Sequence, residues 1–116
     1  GGDIKSTWKN LINNQSGANL ISKFDASDFQ TKISCEVPIK SDQDTLEYSF
    51  DPNKWFSSKD LRKVDDFIIF GVAAAEMALE DSLLKNHNFD PNKIGVGVGS
   101  GVGGLPCIEK ASLNLN

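Results

Sequence analysis

Between Ile94 and Pro106 the chain reads IGVGVGSGVGGLP, thirteen residues that hold six glycines, four β-branched residues and one serine. Ile94, Val96 and Val98 alternate with Gly95, Gly97 and Gly99, so an extended segment here carries aliphatic side chains on one face and bare backbone on the other. Something is expected to press close against the bare face. After Gly99 the spacing changes to Gly101, Gly103 and Gly104. Because proline is tolerated in a first helical turn, this predicts a strand, a glycine hinge and a helix starting near Pro106.

The rest of the composition narrows the class. At 116 residues the chain is one domain at most, with 39% hydrophobic and 24% charged residues, as in ordinary soluble proteins. A formal net charge of −4 argues against a nucleic-acid surface. The two cysteines, Cys35 and Cys107, form no CxxC pair and there is one histidine, so no metal site is expected and both thiols read as buried packing groups. No apolar run approaches the ~18 residues of a membrane span, and the start GGDIKSTW lacks the regions of a signal peptide. A cytoplasmic protein without a membrane partner is the default. The absence of an initiator methionine, and an end at LNLN without a closing element, suggest a piece of something longer.

Along the chain, Asp3 or Ser6 can cap a helix carrying Ile4, Trp8, Leu11 and Ile12 at helical spacing, which Asn13 to Gly17 end. Ile21, Phe24 and Phe29 are apolar anchors, and Lys32 to Ile39 alternates as a strand that Pro38 marks as an edge or an end. Residues 40 to 53 read as loop, apart from the Asp51–Pro52 start of a short segment anchored by Trp55 and Phe56. From Ser57 or Ser58 the pattern predicts one long helix to about Lys85. Its middle, Phe67 to Ala75, is apolar nearly all round, which implies packing on several sides. Asp90–Pro91 then turns the chain into the glycine segment. The order helix, strand, helix, strand, helix indicates an α/β architecture with helices over a sheet.

Three features invite a functional reading. Gly99, Gly101 and Gly104 match G-x-G-x-x-G after a predicted strand, so they could hold a nucleotide phosphate, or serve only close packing and a sharp turn. Lys59, Arg62 and Lys63 form a basic group in an acidic chain. At the first turn of the expected long helix they oppose its dipole, so either an anionic partner relieves the mismatch or solvent does. His87 reads as an exposed loop histidine, and Cys107 lacks the base that nucleophilic catalysis needs. The carboxylates Asp65, Asp66, Glu76, Glu80 and Asp81 form no paired acid/base set.

Taken together, TWKNLINNQSG (Thr7 to Gly17), FDASDFQTKI (Phe24 to Ile33), RKVDDFIIFGVAAAEMAL (Arg62 to Leu79) and IGVGVGSGVGGLPCIE (Ile94 to Glu109) resemble the type II β-ketoacyl-acyl-carrier-protein synthases. These are condensing enzymes of fatty-acid elongation within the thiolase-like group. The resemblance runs over nearly the whole chain and includes the order and gaps of the blocks. It implies a layered α/β/α/β/α fold working as a homodimer, with residues 1–116 forming an incomplete N-terminal segment that lacks the family's first strand and catalytic region. The implied reaction uses a cysteine and two histidines, with no cofactor or metal, to condense acyl groups with malonyl-acyl-carrier protein. The family's cysteine lies in a Thr-Ala-Cys context beyond the glycine block, so neither Cys35 nor Cys107 takes that role and His87 is not one of the histidines. No catalytic residue is carried over.

Two site assignments do carry over by position. Lys59, Arg62 and Lys63 match basic positions that face the acidic acyl-carrier protein, and Val102 falls where the family places an aliphatic residue at the inner end of the acyl pocket near the dimer interface. Two rivals remain: a polyketide-type ketosynthase or chain-length partner of the same fold, and a nucleotide-phosphate-binding module using Gly99 to Gly104.

Overall fold

A computed structural model describes residues 2–40, 48–84 and 87–115. The chain divides into two compact units, Gly1–Pro52 and Asn53–Asn116.

The first unit opens with α1, Ile4–Ile12, and its start follows the predicted chemistry. The Asp3 carboxylate accepts the Ser6 amide at 2.6 Å, and the Ser6 hydroxyl accepts the Asp3 amide at 3.4 Å, which closes a reciprocal capping box. At the other end the Asn13 side-chain amide donates to the Lys9 carbonyl at 2.8 Å, and Asn14 turns left-handed with φ 53°. The stripe Ile4, Trp8, Leu11 and Ile12 is 62–70% exposed.

The strand expected over Lys32–Ile39 is much shorter. β1, Asn19–Leu20, and β2, Ile33–Ser34, pair antiparallel with Asn19 opposite Ser34 and Leu20 opposite Ile33. Beyond Ser34 the chain leaves the ladder, and the Glu36 carboxylate bonds back to Ser22 and Ser34 on its two sides. It accepts the Ser22 hydroxyl at 2.6 Å, the Ser22 amide at 3.1 Å and the Ser34 hydroxyl at 3.1 Å. Phe24 and Phe29 stack edge-on at 5.7 Å but stay 55% and 59% exposed, so they anchor one another rather than a core.

The core of this unit is Phe50, only 6% exposed, in a stretch expected to be loop. Its amide donates to the Pro38 carbonyl at 2.7 Å and its carbonyl accepts the Lys40 amide at 2.8 Å, forming an isolated parallel bridge between Ile39 and Phe50. Gly2 packs directly on the Ser49–Phe50 backbone, where a Cβ would overlap the Ser49 carbonyl. The expected loop from 41 to 47 lies outside the described residues.

Past the 3₁₀ turn Pro52–Lys54, the second unit corrects the single long helix. Ser57 caps a one-turn helix, α2, Ser58–Leu61, accepting the Asp60 amide at 3.2 Å. Arg62 is its C-cap, and the chain restarts as α3, Asp66–Asp81, with Asp65 in extended backbone as N-cap. Apolar spacing runs straight through residues 62–65, but Asp65 stands in extended backbone (φ −81°, ψ 159°) and breaks the helix there without a side-chain cap bond. α3 ends with Ser82 as its C-cap, and the expected end at Lys85 falls outside the described residues.

The all-round packing expected of α3 is also corrected. Only Ile69 (7% exposed) and Ala73 (2%), one turn apart, are buried, while Phe67, Ile68, Val72 and Leu79 remain 36–40% exposed. A helix apolar on every side needs a neighbour on every side, and the described residues supply one flank. The 3₁₀ turn Pro91–Lys93 begins with Asp90, whose carboxylate accepts the Asn92 amide at 3.0 Å, as the Asp-Pro pair led one to expect. The strand expected over Ile94–Gly99 pairs with no described segment, so the only ladder among the described residues is the two-stranded one. The chain then enters α4, Leu105–Leu113, with Gly104 as N-cap and Pro106 in the first turn.

Hydrogen bonds from the Ser22 hydroxyl, then the Ser22 amide, hold the Glu36 carboxyl below the usual glutamate range, against a small opposing effect of burial. A depressed carboxyl pKa contributes stability above its ordinary value, and that contribution is lost as pH falls through the folded value. Protection of the Ile21 amide, which donates to Lys32 across the hairpin at 3.0 Å, should therefore decline as pH drops below about 4. Glu36→Gln should flatten that decline in a hydrogen-exchange series, and an unchanged acid profile would contradict the role given to Glu36.

Candidate functional site

The predicted site residues all lie in the second unit, around the start of α3 and the glycine turn. Gly103 has φ +73°, the left-handed conformation that a tight turn requires and that L side chains resist. The Phe67 ring lies over it, with ring carbons 3.5–3.8 Å from where a Cβ would stand. At Gly104 that position is taken by the Asp65 carboxylate itself, with the Phe67 ring at 3.4 Å. The close approach expected along the bare face is thus confined to these two glycines. A Cβ at Gly95, Gly97, Gly99 or Gly101 would meet nothing within 4 Å, and Val98 Cγ1 lies 4.0 Å from the Cβ position of Gly71 in α3.

Asp65 plays an unexpected part. It is the N-cap of α3, yet its side chain makes no cap hydrogen bond there and lies instead against the N-cap of α4. α4 has no acidic residue in its own first turn and no side-chain cap. A carboxylate at that end complements the helix dipole, an effect of about 0.3–1 kcal/mol. The same placement weakens the phosphate-binding reading of Gly99, Gly101 and Gly104, because an anion already stands at the helix start and would repel a second one.

Lys59, Arg62 and Lys63 are all exposed. They do not open the long helix. Lys59 lies in the last turn of α2 and Arg62 at its C-cap, where the dipole favours a cation, so the electrostatic mismatch inferred from sequence is absent. Lys63 Nζ lies 3.9 Å from Asp60, a loose pair with both side chains more than half exposed. Val102 is 70% exposed beside the Gly103 turn.

The remaining candidates separate cleanly. Cys35 and Cys107 are both exposed, which corrects their assignment as buried thiols: β2 is too short to cover the first, and the second rides on an open face of α4. His87 is exposed, edge-on to Phe89 at 5.6 Å, as expected of a loop histidine. A cleft of about 720 Å³ in the first unit, lined by Thr7, Asn10, Gln15, Glu36, Pro38 and Tyr48 among others, has Glu36 as its one carboxylate among the described residues. No group of three or more metal-ligating side chains occurs among the described residues, and no described helix is long and apolar enough to cross a membrane.

Sequence reasoning missed Asp65 and Phe67 as partners of the glycine turn. A signal was present: an aspartate interrupting a helical pattern beside an aromatic residue, followed later by a double glycine that has to be covered by something.

Residues 1–115 match the model of the β-ketoacyl synthase N-terminal domain. The chain is 40% identical over 109 residues to 3-oxoacyl-[acyl-carrier-protein] synthase 2 of Vibrio cholerae, covering 94% of the chain and 24% of that protein. It is 37% identical to the protein of the same name from Coxiella burnetii, over 95% and 24% of the two chains. With the chloroplastic 3-oxoacyl-[acyl-carrier-protein] synthase I of Arabidopsis thaliana the identity is 30%, over 99% and 23%. The chain therefore spans about a quarter of the length of the curated relatives it matches.

The geometry makes Gly103 intolerant of a side chain. Gly103→Ala should destabilise the protein by about 1–2 kcal/mol, the cost of forcing an L residue left-handed, whereas Gly17→Ala, which has open space around it, should leave the melting temperature nearly unchanged. Equal melting temperatures for the two variants would contradict this turn.

Proposed function

This chain belongs to the β-ketoacyl synthase family, matching its N-terminal domain over residues 1–115, and from that membership we propose that the protein carrying it is a 3-oxoacyl-[acyl-carrier-protein] synthase of fatty-acid elongation. The support is the match itself, which runs through 94% of the chain at 40% identity to a relative of that name. In this reading residues 1–116 are an N-terminal segment of a layered α/β/α/β/α thiolase-like protein that is cytoplasmic and homodimeric.

The reaction proposed is a decarboxylative Claisen condensation. An enzyme cysteine first takes the acyl group from its carrier by thioester exchange. The malonyl unit then loses carbon dioxide, its α-carbon bonds to the acyl carbonyl carbon, and the cysteine thiolate is expelled. No residue of this chain is given a catalytic role, and neither a cofactor nor a metal is invoked.

The part given to this segment is recognition. Lys59, Arg62 and Lys63 present exposed positive charge on and just after α2 in a chain whose net charge is −4, which suits docking of an acidic acyl-carrier or malonyl-acyl-carrier protein. With the dipole mismatch gone, that reading rests on exposure and family position. Reversing charge with Arg62→Glu and Lys63→Glu in the whole enzyme should raise KM for carrier-bound substrate about three- to ten-fold and leave small thioester substrates unaffected. Equal losses with both substrate types would contradict the docking role.

Val102 is assigned to the inner wall of the acyl pocket. Its exposure in this chain leaves its side chain free to meet another surface. Val102→Phe should then shorten the longest acyl chain accepted, because added ring volume fills the pocket end. An unchanged product-length distribution, read by mass spectrometry, would count against the assignment.

A further inference from the structure

We propose that Asp65 and Phe67 are positioning residues for the acyl pocket, locking the Gly103–Gly104 turn and so setting the direction in which Val102 projects. This rests on the reading of Val102 as a pocket-wall residue. The two residues that follow Val102 are both held by the start of α3: the Phe67 ring covers Gly103, and the Asp65 carboxylate stands against Gly104. Gly103 carries the left-handed φ of +73° that redirects the chain immediately after Val102.

On the other side of Val102 support is sparse. A Cβ at Gly99 or Gly101 would meet nothing within 4 Å, and upstream Val98 Cγ1 lies 4.0 Å from the Cβ position of Gly71. The stretch between Val98 and Gly103 is rich in glycine and Val102 is itself 70% exposed, so the contacts at Gly103 and Gly104 are the constraint placed directly after it. The Asp65 side chain makes no cap bond to its own helix and faces the α4 start instead, and Phe67 is 40% exposed although its ring lies over Gly103.

The test uses the full-length enzyme, with acyl primers of increasing length and the variants Phe67→Leu, Asp65→Asn, Phe67→Tyr and Val102→Phe. Loosening the clamp with Phe67→Leu or Asp65→Asn should flatten discrimination between long and short primers by about five-fold in relative kcat/KM, with kcat for the shortest primer held within about two-fold. Phe67→Tyr keeps the ring and should keep the wild-type profile. The chain-shortening effect of Val102→Phe should shrink in the Phe67→Leu background, since a freed turn lets the larger side chain swing away. Asp65→Asn preserves side-chain size and carries the test if Phe67→Leu gives no folded protein by thermal melt. A uniform loss of rate across all primers, or strict additivity with Val102→Phe, would reduce Asp65 and Phe67 to structural residues and overturn the inference. A shift with Val102→Phe but none with the clamp variants overturns the clamp alone. No shift with Val102→Phe overturns the pocket reading and the inference with it.

Discussion

The second unit depends on one contact, the meeting of the α3 start with the Gly103–Gly104 turn. Phe67 and Asp65 leave no space for a Cβ at Gly104, and backbone conformation resists one at Gly103. Two glycines in succession are thus explained by two separate constraints, one a close approach and one a left-handed φ. The same contact supplies α4 with negative charge at its first turn, which its own sequence lacks. Asp65 reaches the turn from its extended N-cap position at the break between α2 and α3.

Local chemistry was legible in the sequence where neighbouring residues decide the outcome. The Asp3–Ser6 capping box, the stop at Asn13 and Asn14, the Asp90–Pro91 turn and the helix entering through Pro106 all follow from side chains within a few positions of the backbone they satisfy. What was not legible depends on partners distant in sequence. Apolar spacing hid the interruption at Asp65, whose side chain finds its partner some forty residues later at Gly104. Phe50 looked like loop, yet becomes the centre of the first unit through hydrogen bonds to Pro38 and Lys40. The cysteines were placed inside on residue type, and each ended outside because its element covers too little surface.

For the proposed docking residues Lys59, Arg62 and Lys63, sequence spacing misjudged the electrostatics. Dividing one helix into two turned an unfavourable dipole placement into a favourable one for Arg62. The three cations and the two clamp residues occupy a single stretch from Lys59 to Phe67. One short segment thus carries both the charge proposed to meet a carrier protein and the contacts that hold the glycine turn. The large exposed apolar faces of α1 and α3 are a further property of a chain that spans a quarter of its relatives' length.

The most direct measurement is nuclear Overhauser spectroscopy on the whole protein with Phe67 and the glycines selectively labelled. A cross-peak between the Phe67 ring protons and the Gly103 α-protons is predicted. A Phe67 ring with no Overhauser contact to Gly103 or Gly104, in protein confirmed to be folded and active, would contradict the account.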